Sequence, residues 1–202
     1  MREEKEKEKE KENGGDWRSN IWITCKTRMQ AEKRLKFYSL FSLLALNYFS
    51  FIIVVSAIFS GVLSERVPFF NEINISMSVA LLASSLLFQG FKFDDVARLH
   101  RECYLRLQKL LEAPGERTEI LGQYYEVLAE YPNHAPRDYD DLVIDRTLFR
   151  DKPIWDQSGP VRWTGFMVAK KLFRMTLFYL MLLAVLSLGV YLIVYPLVSS
   201  RI

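Results

Sequence analysis

Three stretches without a charged residue constrain this chain most, because each is long enough to cross a lipid bilayer as a helix. Residues 40–63, 24 in all, would extend about 36 Å at the helical rise, against a hydrocarbon core of about 30 Å. Residues 73–91 and 175–198 form the other two stretches. A quarter of the chain is charged, and those charges are segregated from the apolar stretches. The pattern predicts an all-α integral membrane protein with a two-span helical hairpin and a third, C-terminal transmembrane helix.

The spans divide the chain into five predicted segments. They are a charged flexible tail (1–20), a basic juxtamembrane helix (21–39), a transmembrane hairpin (40–91, with spans at 40–63 and 73–91), a cytoplasmic helical domain (92–171) and the third transmembrane helix (175–198). Within the cytoplasmic domain, apolar spacing predicts a helix over 94–111, a second helix around Ile120 and Tyr124, and a short third helix over 138–149. Residues 152–165 are predicted to form a loop, because no strand pattern is present.

Basic residues are concentrated on one side of the spans, while the opposite side holds only Arg66 in the hairpin loop and Arg201 after the third span. They precede the first span, follow the second at Lys92 and precede the third at Lys170 and Lys171, whereas the loop 64–74 holds one arginine and two glutamates. Because positively charged flanks remain in the cytoplasm, the N-terminus and the central domain are expected to face inward. The hairpin tip and the C-terminus are expected to face outward.

Small and weakly polar residues line one face of each of the first two spans. The first stripe comprises Asn47, Ser50, Val54, Ala57 and Gly61, and the second comprises Ser76, Ala80, Ala83 and Ser84. Such residues let helices approach closely, and Asn or Ser can bond to a neighbouring helix. Two interpretations stay open: a packing seam, within the hairpin or between copies, and the lining of a water-filled pore. Since two or three spans cannot enclose a pore, a channel would require a homo-oligomer.

The remaining chemistry-bearing residues do not predict an enzyme. Cys25 and Cys103 are isolated, without metal-ligand spacing, and are expected to be reduced thiols without a role. His134 and Asp138 lie four residues apart, but without a second ligand or nucleophile they predict a turn in which Asn133 and His134 bond to the backbone and Asp138 caps a helix. No phosphate-binding glycine motif and no Cys/His cluster is present, so no cofactor or metal is expected. A basic helix face could contact anionic headgroups or a nucleic acid, but it is expected to be a solvated face, so no direct nucleic-acid binding is predicted; it comprises Arg98, Arg101, Arg106 and Lys109.

The order of parts nevertheless resembles a known family. A basic stretch with Arg34 precedes the hairpin, a helix with Tyr104 and Leu107 follows, and the chain then reads Tyr-x-x-x-Leu-x-x-Tyr-x-Asn-His over 124–134. Asn133-His134 followed by Asp138-Tyr139 is the most specific element. Over residues 26–150 the chain resembles the SLATT family, the SMODS- and SLOG-associating two-transmembrane effectors of prokaryotic conflict systems, and most of all the subfamily found beside reverse transcriptases.

The resemblance implies a membrane effector in antiphage defence. Such a protein would oligomerise and permeabilise the inner membrane when a partner detects infection, arresting or killing the cell by abortive infection. A reverse transcriptase or a nucleotide-signalling enzyme encoded nearby is the implied partner. A non-conducting anchor or scaffold for that enzyme is the alternative, and an enzyme using His134 and Asp138 is a remote third. The third span lies outside the two-span core of the family.

Overall fold

The structure, a computed structural model, describes residues 17–65, 67–156 and 159–198. Its helices are α1 (Trp17–Ile58), α2 (Ser60–Ser64), α3 (Phe70–Gly90), α4 (Phe93–Glu112), α5 (Arg117–Glu130), α6 (Pro136–Val143), a π-helical segment (Ile144–Phe149) and α7 (Gly165–Val198). Two short strands, β1 (Ile154–Asp156) and β2 (Gly159–Val161), precede α7. The chain is therefore an all-α membrane protein, as the sequence predicts. Helical stretches in α1, in Phe70–Glu112 and in Gly165–Tyr191 are long and apolar enough to cross a membrane.

The described residues fall into two units. Unit 1 comprises residues 17–37 of α1 together with 93–172, and unit 2 comprises residues 38–92 and the chain from Phe173 onward. The tail predicted for 1–20 lies outside the described residues up to position 16. Residues 17–20 are helical and begin α1.

In unit 1 the segment 17–37 is the central helix, because its opposite faces enter two apolar clusters. Ile21 and Cys25 pack with residues of α4 and α5, namely Cys103, Leu107, Leu110, Ile120 and Tyr124. Ile23 packs instead with α6 and β1, through Leu142, Val143 and Ile154. A helix that buries more than one face is surrounded by protein. The segment predicted as juxtamembrane is thus helical and forms part of the core of this unit.

The prediction of a loop without strands before α7 is wrong. β1 and β2 form an antiparallel hairpin in which Ile154 pairs with Val161 and Asp156 pairs with Gly159. Three-residue strands are too short to show alternation, and Pro160 argued against a strand. Gly159 adopts a positive φ of 128°, a conformation that glycine supplies without a steric penalty.

Most other helices follow the predicted segments closely, but α7 begins at Gly165, well before the predicted third span at 175–198. α4 extends one residue beyond the predicted 94–111 at each end, and the predicted 138–149 helix consists of α6 followed by the π-helical segment. α6 begins two residues early, because Pro136 has no N–H to lose at the first turn. In unit 2 the first apolar stretch is interrupted at Phe59, beside Ser60-Gly61, a pair with weak helix propensity.

Candidate functional site

A buried arginine is the most unusual feature of unit 1. The side chain of Arg28, on α1, is fully buried. Its Nη1 donates a hydrogen bond of 2.6 Å to the carbonyl oxygen of Pro132, in the turn between α5 and α6. Its Nε and Nη2 have no hydrogen-bond partner among the described residues. Burying a guanidinium with unpaired donors is unfavourable by on the order of several kcal/mol, so Nε and Nη2 require an acceptor that the described residues do not supply.

Asp138, the carboxylate of the same region, forms an ion pair with Arg34 and not with Arg28. Arg34 binds Asp138 through two hydrogen bonds, from Nε to Oδ1 at 2.7 Å and from Nη2 to Oδ2 at 2.9 Å. Asp138 is 1% exposed, and its Oδ2 also accepts the backbone N–H of Ala135 at 2.9 Å. The prediction that Asp138 caps the next helix is therefore confirmed. The cap and the bidentate pair fix the turn 131–135 on α1.

Both histidines of the chain lie in this region. His100, on α4, is buried, and His134 is half-buried; the Nδ1 atoms of both lack a hydrogen-bond partner in the described part of the chain. Burial, and next the positive charge of Arg28, lowers the pKa of His100 to about 4. The same two causes lower the pKa of His134. Both rings are therefore neutral near pH 7.

We call Arg28, Arg34, His100, His134 and Asp138 the Arg28 cluster. With neutral histidines, two guanidinium charges oppose one carboxylate, which leaves one excess positive charge. Asp138 and Arg34 both contribute to the electrostatic environment of His100, with Asp138 raising its pKa and Arg34 lowering it. The cluster is thus cationic, with Arg28, His100 and Asp138 buried and the other two members half-buried, and it presents polar atoms that the described residues do not satisfy.

Sequence analysis identified only part of the cluster. His134 and Asp138 stand in the predicted turn, while Asn133 is exposed and Tyr139 packs against the second apolar cluster. Nδ1 of His134 has no hydrogen-bond partner among the described residues, and the backbone bonds predicted for Asn133 and His134 remain predictions. Arg28, Arg34 and His100 were not recognised as a site. The available signal was helical spacing, because Arg28 lies seven residues after Ile21, which places both on the same buried face of α1.

The predicted stripes of unit 2 lie on the surface of the single chain. Asn47, Ser50, Val54, Ala57 and Gly61 are all exposed; on α3, Ser76, Ala80 and Ala83 are exposed and Ser84 is half-buried. Three of the polar side chains bond to carbonyl oxygens of their own helix, one turn earlier, each at 2.8 Å: Asn47 to Leu43, Ser76 to Glu72 and Ser84 to Ala80. Their polarity is thereby partly satisfied without a partner helix.

The packing within unit 2 uses other residues. Ser56 of α1 is buried and its hydroxyl lies 3.1 Å from Oδ1 of Asn74 on α3. Tyr48 of α1 donates to the carbonyl oxygen of Leu186 on α7 at 3.1 Å. A Cβ at Gly189 would overlap the side chains of Tyr48 and Ile52, so α7 approaches α1 at a glycine. The stripe on the first span is therefore separate from these contacts of α1 with α3 and α7.

Cys25 and Cys103 are free and buried. Burial is the main cause that raises the pKa of Cys25 to about 11, and burial also raises that of Cys103. Within the described residues, no group of three His, Cys, Asp or Glu side chains could hold a metal ion.

Comparison with known proteins identifies one family. The model of the SMODS and SLOG-associating 2TM effector domain family 5 matches residues 10–199, a wider range than the resemblance noted in the sequence and one that includes the third span. The description of this family does not mention reverse transcriptases, so the subfamily remains a prediction. No curated protein and no solved structure matches the chain.

Proposed function

We propose that this chain, which belongs to the SMODS and SLOG-associating 2TM effector domain family 5, oligomerises and permeabilises the inner membrane of a prokaryotic cell when an antiphage defence system is triggered. The observation that carries this proposal is the exposed stripe on the first span. Small, weakly polar side chains there face away from the chain's own packing contacts and are available to further copies.

The composition of the stripe suits helix association better than contact with lipid alone. A Cβ at Gly61 would meet nothing within 4 Å, so this position leaves room for close approach of another helix. Asn47 retains a second amide hydrogen and its oxygen for a neighbouring helix, since the described bond to Leu43 uses only one donor. In a ring of copies, the same face would carry the only strongly polar amide of the first span toward the pore axis.

The proposed orientation places the N-terminus and unit 1 in the cytoplasm and the C-terminus outside. The basic flanks support this orientation. Unit 1 would then be accessible to the partner that signals infection, for which we propose a reverse transcriptase or a nucleotide-signalling enzyme encoded beside this chain.

Membrane potential in living cells tests the proposal. A potential-sensitive dye is read in cells that express the chain with its neighbouring enzyme, before and after phage challenge. We expect depolarisation, and we expect the double substitution Asn47→Leu and Ser50→Leu to abolish it at equal membrane abundance. Ser78→Leu is the matched control, because Ser78 is exposed on α3, lies outside both stripes and bonds to its own helix at Asn74.

The anchor alternative gives a different result. If the enzyme is recruited to the membrane and no trigger depolarises the cell, the chain is a scaffold and the pore proposal fails. Equal depolarisation by the wild type and the double variant would show that the stripe is not the conducting or assembling surface.

A further inference from the structure

We propose that the Arg28 cluster is a binding site for a phosphoryl oxyanion, supplied either by a soluble phosphate ligand or by a lipid headgroup. This inference concerns unit 1 alone and does not depend on whether the assembled chain conducts. It follows from the hydrogen-bonding edge of Arg28, from the charge of the cluster and from the histidine atoms that accompany it.

The first argument is geometric. Nε and Nη2 form one edge of a guanidinium group, which can hold two oxygens of an oxyanion side by side. Arg34 uses this edge to bind both oxygens of Asp138. The same edge of Arg28 lacks a partner within the described chain, although the side chain is fully buried and its third nitrogen is held by Pro132. The structure therefore holds a bidentate donor in place for which the described residues provide no acceptor.

The second argument concerns charge. Asp138 is already shared between Arg34 and the N–H of Ala135, so it does not neutralise Arg28. The excess positive charge lies where water is excluded and where an anion is attracted more strongly than at the surface. An anion that accepts from the free edge would remove both the unpaired charge and the unsatisfied donors.

The third argument selects phosphate over a carboxylate. The Nδ1 atoms of His100 and His134 add two polar groups that lack partners among the described residues. A phosphoryl group offers three oxygens in a tetrahedral arrangement, whereas a carboxylate offers two in one plane. A second negative charge on phosphate also favours protonation of a neighbouring imidazole, which turns a ring nitrogen into a further donor. The turn that carries His134 is exposed at Pro132 and Asn133.

Ring nitrogen resonances of the histidines provide the direct test. The chain has two histidines, so a protein labelled with ¹⁵N-histidine and purified without a histidine tag reports only on this cluster. Inorganic phosphate is titrated into the full chain in phospholipid-free detergent, with sodium chloride at matched ionic strength and acetate as comparison probes. We expect phosphate to shift the Nδ1 resonances of both rings saturably, with no saturable change for chloride and a weaker response to acetate.

Substitution of Arg28 separates a specific site from general anion effects. Arg28→Met should weaken phosphate binding about tenfold or more, because it removes the bidentate charged donor. Arg98→Met is the control, since Arg98 is exposed on the same helix as His100, and it should change the affinity less than twofold, about the level expected for a screened surface charge. If Arg28→Met does not fold, the wild-type titration alone decides.

Nanodiscs distinguish the source of the phosphoryl group. Phosphatidylglycerol discs that reproduce the histidine shifts without added phosphate would assign the site to a lipid headgroup. Unchanged spectra in the discs, together with a retained response to phosphate, would assign it to a soluble ligand. The proposal is overturned if phosphate produces no saturable shift in the wild type, if acetate binds equally well, or if a folded Arg28→Met variant binds phosphate like the wild type.

Discussion

The ion pair between Arg34 and Asp138 should be a main stabilising interaction of unit 1, and the substitution Asp138→Asn tests this. Asn has nearly the same shape but removes the charge, so Arg34 loses its carboxylate partner and the excess charge of the Arg28 cluster rises from one to two. Breaking a buried pair on one side typically costs about 3–5 kcal/mol. Because the Arg34 side chain is 18% exposed and keeps some hydration, we expect about 3 kcal/mol, the lower end of that range.

Tryptophan fluorescence measures this loss selectively. All four tryptophans, Trp17, Trp22, Trp155 and Trp163, lie in unit 1, and the first two pack against its two apolar clusters. Urea titration of the detergent-solubilised chain therefore reports unfolding of this unit without a contribution from unit 2. The urea midpoint of Asp138→Asn should fall while the slope of the transition stays the same.

A surface pair supplies the matched control. Glu102 lies 3.9 Å from Arg98, and both side chains are more than half exposed. Glu102→Gln removes one carboxylate charge in the same way and should cost about 0.5 kcal/mol or less. The double variant Arg34→Met with Asp138→Leu should lose less stability than the two single variants summed, because it leaves neither charge unpaired. An effect of Asp138→Asn no larger than that of Glu102→Gln would refute the argument that burial makes this pair important.

Three further predictions concern other parts of the molecule. Gly189→Val should lower the thermal midpoint of the detergent-solubilised chain by about 5 °C, because the added side chain overpacks against α1. Gly90→Ala, which has open space around its Cβ, should leave the midpoint unchanged. Fluorescence-detected size-exclusion chromatography after heating measures both variants, and a Gly189→Val midpoint equal to that of the wild type would contradict the close approach of α7 to α1. Cys25 and Cys103 should resist a maleimide at pH 8 in the native protein and react after denaturation, as mass spectrometry would show; rapid native labelling would contradict their burial. Since folding lowers the pKa of His100, the unfolded state binds more protons than the folded state between pH 6.5 and about 4. The free energy of unfolding of unit 1 should therefore fall by about 3 kcal/mol as the pH decreases through that window. Urea titrations of His100→Gln should show a smaller decrease, and a pH dependence equal to that of the wild type would contradict the assignment to His100.

The membrane spans were predictable because they depend on local composition alone. A stretch such as 40–63 has no charge and sufficient length, and no tertiary contact is needed to identify it. The cap of α6 was also predictable from local sequence, since Asp138, the third residue of this helix, makes it. The short strands around Gly159 carried too few residues for any periodic pattern.

The Arg28 cluster was not predictable, because burial of an arginine depends on residues far away in the sequence. Arg34 and Asp138 are separated by 104 positions, and so are Arg28 and Pro132. A basic helix next to a membrane span is expected to be exposed to solvent, and the sequence contains no local sign that α4, α5 and α6 pack around it. The one sequence signal for an inward position of Arg28 is that it lies seven residues after Ile21, and therefore on the same face of α1.

The same arginines also bear on the proposed orientation. Lys26, Arg28, Lys33, Arg34 and Lys36 are the basic residues that precede the first span. In the folded unit, Arg28 is buried, Arg34 pairs with Asp138 and Lys36 pairs with Glu32 at 2.6 Å, so this flank presents much less free positive charge than its sequence indicates. The positive-inside rule nevertheless applies to it, because orientation is set as the spans insert, before distant residues such as Asp138 have been brought to α1. The charges of this segment therefore favour a cytoplasmic N-terminus during insertion and hold the turn 131–135 against α1 after folding.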